Sequence, residues 1–311
     1  MTGTFWDSFD HLVKKAENEF LNFDYDKAIE AWQNYYKITA KSEYLKIIKE
    51  LNNTWSADTF KEISNLQRLF NLFQNFDEKY NKKEISHYTF QLYRRLIIKI
   101  YKENFQNDAR SELTTEAGVL EYLAGDFQSA MRILTSVVNS GPESMIARVY
   151  LGFAFLMLKD QRSAIAILSQ NLVLNADKLR PDDLYLSQFK MLYGKLFSSL
   201  SNSEEAAWLM PFESWFRNWL IFDENKTFFD VIRKKETNER IVQVKYYSYE
   251  RYRHFARCLY IAEYARQYLK KETGLILEQE NYMSKLDGIL FDRYRKKRKE
   301  IKKSYHKVQT A

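Results

Sequence analysis

Residues that interrupt regular structure are scarce in this 311-residue chain, which has 8 glycines and 3 prolines. A single cysteine, Cys258, excludes an internal disulfide framework and the small secreted folds that depend on one. The four histidines, His11, His87, His254 and His306, are scattered, and no HExxH, CxxC, phosphate-binding glycine loop or GxSxG pattern occurs. His254 and Cys258 are one helical turn apart, but zinc wants four ligands, so a buried thiol beside a surface histidine is the simpler reading. No catalytic residue, metal or cofactor is expected, and the chain is not read as an enzyme. Long apolar runs are missing as well. The most apolar window, Met145 to Leu158, holds 14 residues and includes Arg148, short of the roughly 20 that span a bilayer. It is expected to be a buried helix. MTGTFWDSFDHLVKK places acids and a histidine where a secretory signal needs a basic start and an apolar core, so a cytoplasmic location is expected.

What is abundant points to one fold class. Apolar residues make up 45% of the chain, enough for a substantial core, and Tyr and Phe number 22 each. Helices packed through large side chains account for that combination, so the fold is expected to be all-α. The net charge of +7 is local: Arg293 to Lys307 holds nine Lys/Arg against one Glu, leaving the remainder at −1.

The chain also repeats. Gly118 and Gly152 are 34 residues apart, as are Ala130 and Ala164, and Leu134 and Leu168. Gly194 precedes Ala206 by 12, as Gly118 precedes Ala130, if about eight extra residues are allowed in KLRPDDLY around Pro181. FDYDKAIEAW, with Ala28 four before Trp32, adds a copy without glycine. These residues resemble the tetratricopeptide repeat, a helix-turn-helix unit of 34 residues. On that resemblance Gly118 and Ala130 are the small positions of paired helices, Gly125 and Asp126 form the turn, Phe127 packs beneath it, Leu134 fills the large apolar position and Pro142 stops the second helix. The copies run over about Phe9–Ser42, Ser111–Ser144, Met145–Lys178 and, weakly, Ser187–Leu220, less than half of the chain. The next copy has Lys159 and Asp160 in its turn. The alternative is that small residues at helix crossings arise in any all-α protein.

The resemblance implies antiparallel helix pairs stacked into a right-handed solenoid whose first helices line a concave groove. Groove positions would be Glu112, Thr115, Val119 and Tyr122, then Ile146, Val149, Phe153 and Leu156, then Gln188, Met191, Lys195 and Ser198. Where some family members clamp a peptide carboxylate with Lys, Asn and Arg, this chain has Thr115, Val119, Tyr150, Met191 and Lys195, which argues against such a receptor. An apolar middle with polar ends suits a hydrophobic or helical partner segment. Alternatively, the protein's own later helices fill the groove.

Elsewhere, Ile63, Leu66, Phe70, Phe73 and Phe76, then Ile85, Tyr88, Leu92, Leu96 and Ile100, mark two amphipathic helices either side of NKKE. Trp215 and Trp219 in LMPFESWFRNWLIF read as a core helix, or as an aromatic surface. Asp182 and Asp183 after Pro181 read as a helix start. Phe255, Leu259, Ala262 and Leu269 mark a long helix that Gly274 would end, with Lys270 and Lys271 near its negative end. Met283, Leu286, Leu290 and Tyr294 lead one last helix into a basic tail. KYYSYERYRHFAR alternates aromatic and basic residues, a pattern that stacks bases in single-strand binders and more often lays tyrosines on a core.

The chain is thus expected to comprise an N-terminal helical region (1–110), repeats (111–222), C-terminal helices packing on or extending the solenoid (223–292) and a basic tail (293–311). The leading functional expectation is a protein-binding adaptor or scaffold. The other is a nucleic-acid-associated protein, or one that meets an acidic protein surface, through Arg293, Arg295, Lys296, Lys297, Arg298, Lys299, Lys302 and Lys303.

Overall fold

The computed structural model describes residues 10–56, 60, 63–109, 111–141, 144–200, 202–240, 248–269 and 272–309. Among them are sixteen α-helices, two 3-10 turns and no strand. The chain divides into two compact units, Met1–Ser129 and Ala130–Ala311.

In the first unit, helices α1 (Asp10–Leu21) and α2 (Tyr25–Thr39) form a hairpin, with α3 (Ser42–Thr54) against α2. α4 (Leu66–Asn81) and α5 (His87–Asn104) make a second hairpin, a short helix α6 (Gln106–Ala109) follows, and α7 (Thr115–Ala124) packs on α4 and α5. Ile63 precedes α4 instead of opening it. Aromatic rings fill the interior: Phe20 meets Trp32, Trp55 and Tyr93, and Phe76 stacks on Tyr93 with ring centres 3.7 Å apart.

The division falls within α8 (Phe127–Ser140). In the second unit α9 (Met145–Met157) pairs with α10 (Gln161–Asn175), and α11 (Ser187–Ser199) with α12 (Ser203–Phe216). α13 (Lys226–Glu239), α14 (Ser248–Tyr268), α15 (Thr273–Leu286) and α16 (Gly288–Gln309) follow, with α14 central to the core. All four expected copies are helix-turn-helix segments, and helices pack in adjacent pairs as in a helical repeat. Among the described residues no helix is long and apolar enough to cross a membrane.

One turn recurs with the same chemistry. Phe23, Gly125 and Lys159 each adopt positive φ (64°, 92° and 63°), and each is followed by an aspartate. The next amide reaches back five residues: Asp24 N–H to Glu19, Asp126 N–H to Glu121 and Asp160 N–H to Phe155, at 2.9, 3.0 and 2.8 Å. That left-handed ending satisfies carbonyls that a helix end leaves open. The aspartate side chain then caps the following helix, accepting from the amides of Lys27, Ser129 and Ser163 respectively. The repeated element is therefore a left-handed residue followed by a capping aspartate, and glycine fills it once in three.

Several expectations need correction. α14 stops at Tyr268, Gly274 lies inside α15, and Lys270 and Lys271 fall outside the described residues, as do Pro142, residues 1–9 and residues 245–247 of the aromatic-basic stretch. Two helices, not one, carry Met283 to Tyr294, because Asp287 adopts an extended conformation between them and caps the second through the Leu290 amide. Trp215 and Trp219 do not share a helix: α12 ends at Phe216, and Asn218 turns the chain at φ 60°. Gly194 is exposed with open space where a Cβ would point, so no close helix approach requires it.

Gly152 shows what its small size is for. A Cβ there would lie 2.1 Å from the hydroxyl oxygen of Tyr185 and 2.4 Å from its Cζ. Tyr185 comes from the insertion around Pro181, and its hydroxyl donates to the Ala164 carbonyl at 2.7 Å. Burial pushes its pKa up. The small residues of this pair thus accommodate an inserted ring from a third segment.

Candidate functional site

The second unit contains a cleft of about 940 Å³. Its floor is apolar, with Val138 from α8, Leu151 and Phe155 from α9, and Ala166 and Ile167 from α10. The opposite wall is the loop after α12, the end of α14 and one face of α16. Periodicity explains the floor: Leu151 and Phe155 are four apart, as are Ser163 and Ile167, so each pair shares a helix face.

Two polar groupings shape the wall. Glu263 accepts from Arg266 at 3.0 Å, from Arg298 at 3.1 Å and from the Tyr294 hydroxyl at 3.1 Å. Arg266 also donates to Glu280 and to the Tyr294 hydroxyl, which ties α14, α15 and α16 together. At the other end, Asp223 accepts from the Gln170 amide at 3.2 and 3.3 Å, and Gln170 accepts from the fully buried Arg148 at 3.3 Å. Burial raises the Asp223 carboxyl above the usual range, against opposing contributions from Gln170 and Arg148. Arg148 itself lies over the Phe228 ring, 5.2 Å from its centre. An arginine inside the most apolar helix is thereby given a partner network instead of bulk water.

The expected groove residues are not gathered in this cleft. Val119 is completely buried in α7 and Val149 is 4% exposed, so neither offers an open surface. Phe153 packs on Tyr185, ring centres 5.1 Å apart, and with Val149 belongs to a core that the insertion and α11 complete through Leu179, Leu184 and Phe189. Chain from the insertion occupies the face these residues were expected to present. Ile146 and Leu156 are half-buried, and Tyr122 is half-buried with its ring 5.5 Å from Phe127. Met191 is 63% exposed, and Lys195 is exposed on the same helix.

The expected basic tail is the body of α16, and its cations do not act alike. Arg293 pairs with Glu213 at 2.7 Å and lies over the rings of Phe212 and Phe216. Burial alone would raise the Glu213 carboxyl, but hydrogen bonds from Arg293 and Arg217 carry it below the usual range. Lys297 is buried, donating to the carbonyls of Trp215 and Phe216 at the end of α12, and burial lowers its pKa. Arg298 is held by Glu263. These three are corrected from partner-binding to structural cations, because α16 packs them against α12 and α14. Arg295, Lys296, Lys299, Lys302 and Lys303 face outward and are exposed.

His254 is likewise corrected from surface to core. It is fully buried, its Nδ1 lies 2.8 Å from one oxygen of Glu236, and the Cys258 thiol donates to the other at 3.6 Å. Burial, then the Glu236 charge, holds the thiol protonated. Among the described residues no three such side chains are placed to hold a metal ion.

Compared with family models, with curated proteins and with solved structures, the chain matches none. The tetratricopeptide resemblance therefore rests on its own residues.

Proposed function

We propose that this chain is a non-catalytic adaptor that holds a segment of another protein in the cleft of its second unit. The observation that carries this reading is the make-up of the cleft, an apolar floor beneath a rim of donors and acceptors. A bound peptide needs both, apolar area for affinity and a few placed polar groups for register. Arg162 and Gln267 stand exposed on that rim. Support for binding over chemistry comes from Glu263: three donors engage it, which suits a fixed wall better than a carboxylate that must take up a substrate proton. A cytoplasmic setting belongs to this reading, since the one thiol needs no oxidising compartment.

Selection of a displayed random-peptide library against the full chain tests the reading. Arg162→Glu with Gln267→Lys should weaken the selected peptides at least tenfold, about 1.4 kcal/mol. Met191→Ser with Lys195→Ser, on the exposed face of α11, should leave them unchanged. Loss through the α11 pair and not through the rim pair would sink the proposal.

A further inference from the structure

The outward face of α16 carries a charge pattern that the adaptor reading does not use. At about 100° per residue, Arg295, Lys296, Lys299, Lys302 and Lys303 fall within an arc of about 120°, opposite the buried Leu290, Tyr294 and Lys297. The face rises about 12 Å from Arg295 to Lys303, at 1.5 Å per residue. Among the described residues none of the five makes an ion pair, whereas Arg293 and Arg298 on the inner side both do. α16 thus divides its cations into an ion-paired or buried set and an exposed set, and the exposed five, of which Arg295 also lies over the Phe291 ring, form a continuous ridge. Like charges this close repel one another, a cost that an anionic partner removes.

Which anion fits follows from what the ridge lacks. No apolar side chain lies on it between Arg295 and Lys303, so it has nothing to insert into a lipid surface, where interfacial helices bury Trp, Phe or Leu. Nor does it carry an aromatic ring between those positions to stack an unpaired base. Five cations on one face of a helix suit the major groove of B-form DNA, which admits an α-helix and is edged by phosphates. We propose that the outer face of α16 binds the phosphate backbone of duplex DNA without sequence preference. The contact lies apart from the proposed peptide cleft, which the inner face of α16 lines through Arg298 and Ile301.

The test uses the full chain and a labelled mixed-sequence duplex, followed by fluorescence anisotropy across a salt series. Five phosphate contacts give a slope of log affinity against log salt near −4.5, a fall of roughly 500-fold between about 50 and 200 mM. Lys296→Gln, Lys299→Gln and Lys303→Gln together should bring the slope to about −1.8. Because all three side chains are solvated, circular dichroism and the thermal midpoint should stay as in the wild type. Removing three exposed lysines elsewhere, Lys37, Lys102 and Lys178, should leave the slope near −4.5. Four results would overturn the proposal: equal slopes for the two triple variants, tighter binding of a single strand than of the duplex, binding to phosphatidylserine vesicles but not to the duplex, or no salt-sensitive binding.

Discussion

Replacing Gly152 by alanine should destabilise the protein, although alanine is the better helix former. The added Cβ would sit 2.1, 2.4 and 2.6 Å from the hydroxyl oxygen, Cζ and Cε1 of Tyr185, well inside van der Waals contact. Rotating the hydroxyl cannot relieve three such contacts, so the ring has to withdraw. Withdrawal costs the bond to the Ala164 carbonyl, about 1 kcal/mol, and disturbs packing against Phe153 by about 1–3 kcal/mol. Gaining alanine over glycine in a helix interior returns about 1 kcal/mol. The balance is a loss of about 1–3 kcal/mol, read in urea as a lower midpoint at constant slope. In a Tyr185→Ala background the obstruction is gone, and Gly152→Ala should stabilise by about 1 kcal/mol. The sign therefore reverses between backgrounds, with a coupling of roughly 2–4 kcal/mol. The same effect in both backgrounds would refute the assignment of Gly152 to the inserted ring.

Two further expectations follow from the turns and from α16. Lys159 adopts φ 63° where glycine is unstrained, so Lys159→Gly should stabilise by about 1 kcal/mol. Gly125→Ala, with φ 92° and open space around its Cβ, should destabilise by about as much. Equal responses at the two sites in thermal unfolding would contradict a shared turn. Arg293→Ala leaves the buried Glu213 short of a donor and should cost about 1–3 kcal/mol. Lys296→Ala should change the unfolding midpoint little, within about 0.5 kcal/mol, and a comparable loss there would erase the distinction between packed and solvated cations.

Much of the fold was legible in the residues because helices are specified locally. The 34-residue spacing placed the helix pairs, whereas Asp126 and Asp160, read only as turn residues, also cap the helices that follow. The binding surface was far less legible. Val149 and Phe153 occupy positions a repeat would expose, but the extra residues around Pro181 carry Leu184 and Tyr185 onto them. Nothing in the local pattern distinguishes an insertion that loops into solvent from one that folds back. The cleft was missed because its walls come from segments as distant as Val138 and Ile301.

The sequence by itself determined the all-α class, the paired helices of the 34-residue repeat and the concentration of positive charge near the end, since periodicity and composition act over a few residues. Tertiary structure alone decided which apolar faces remain open and which cations remain free. Arg293 and Lys296 are three residues apart on one helix, yet one is locked to Glu213 and the other meets water. That difference belongs to the direction in which α16 packs, a property of the elements beside it rather than of either arginine or lysine.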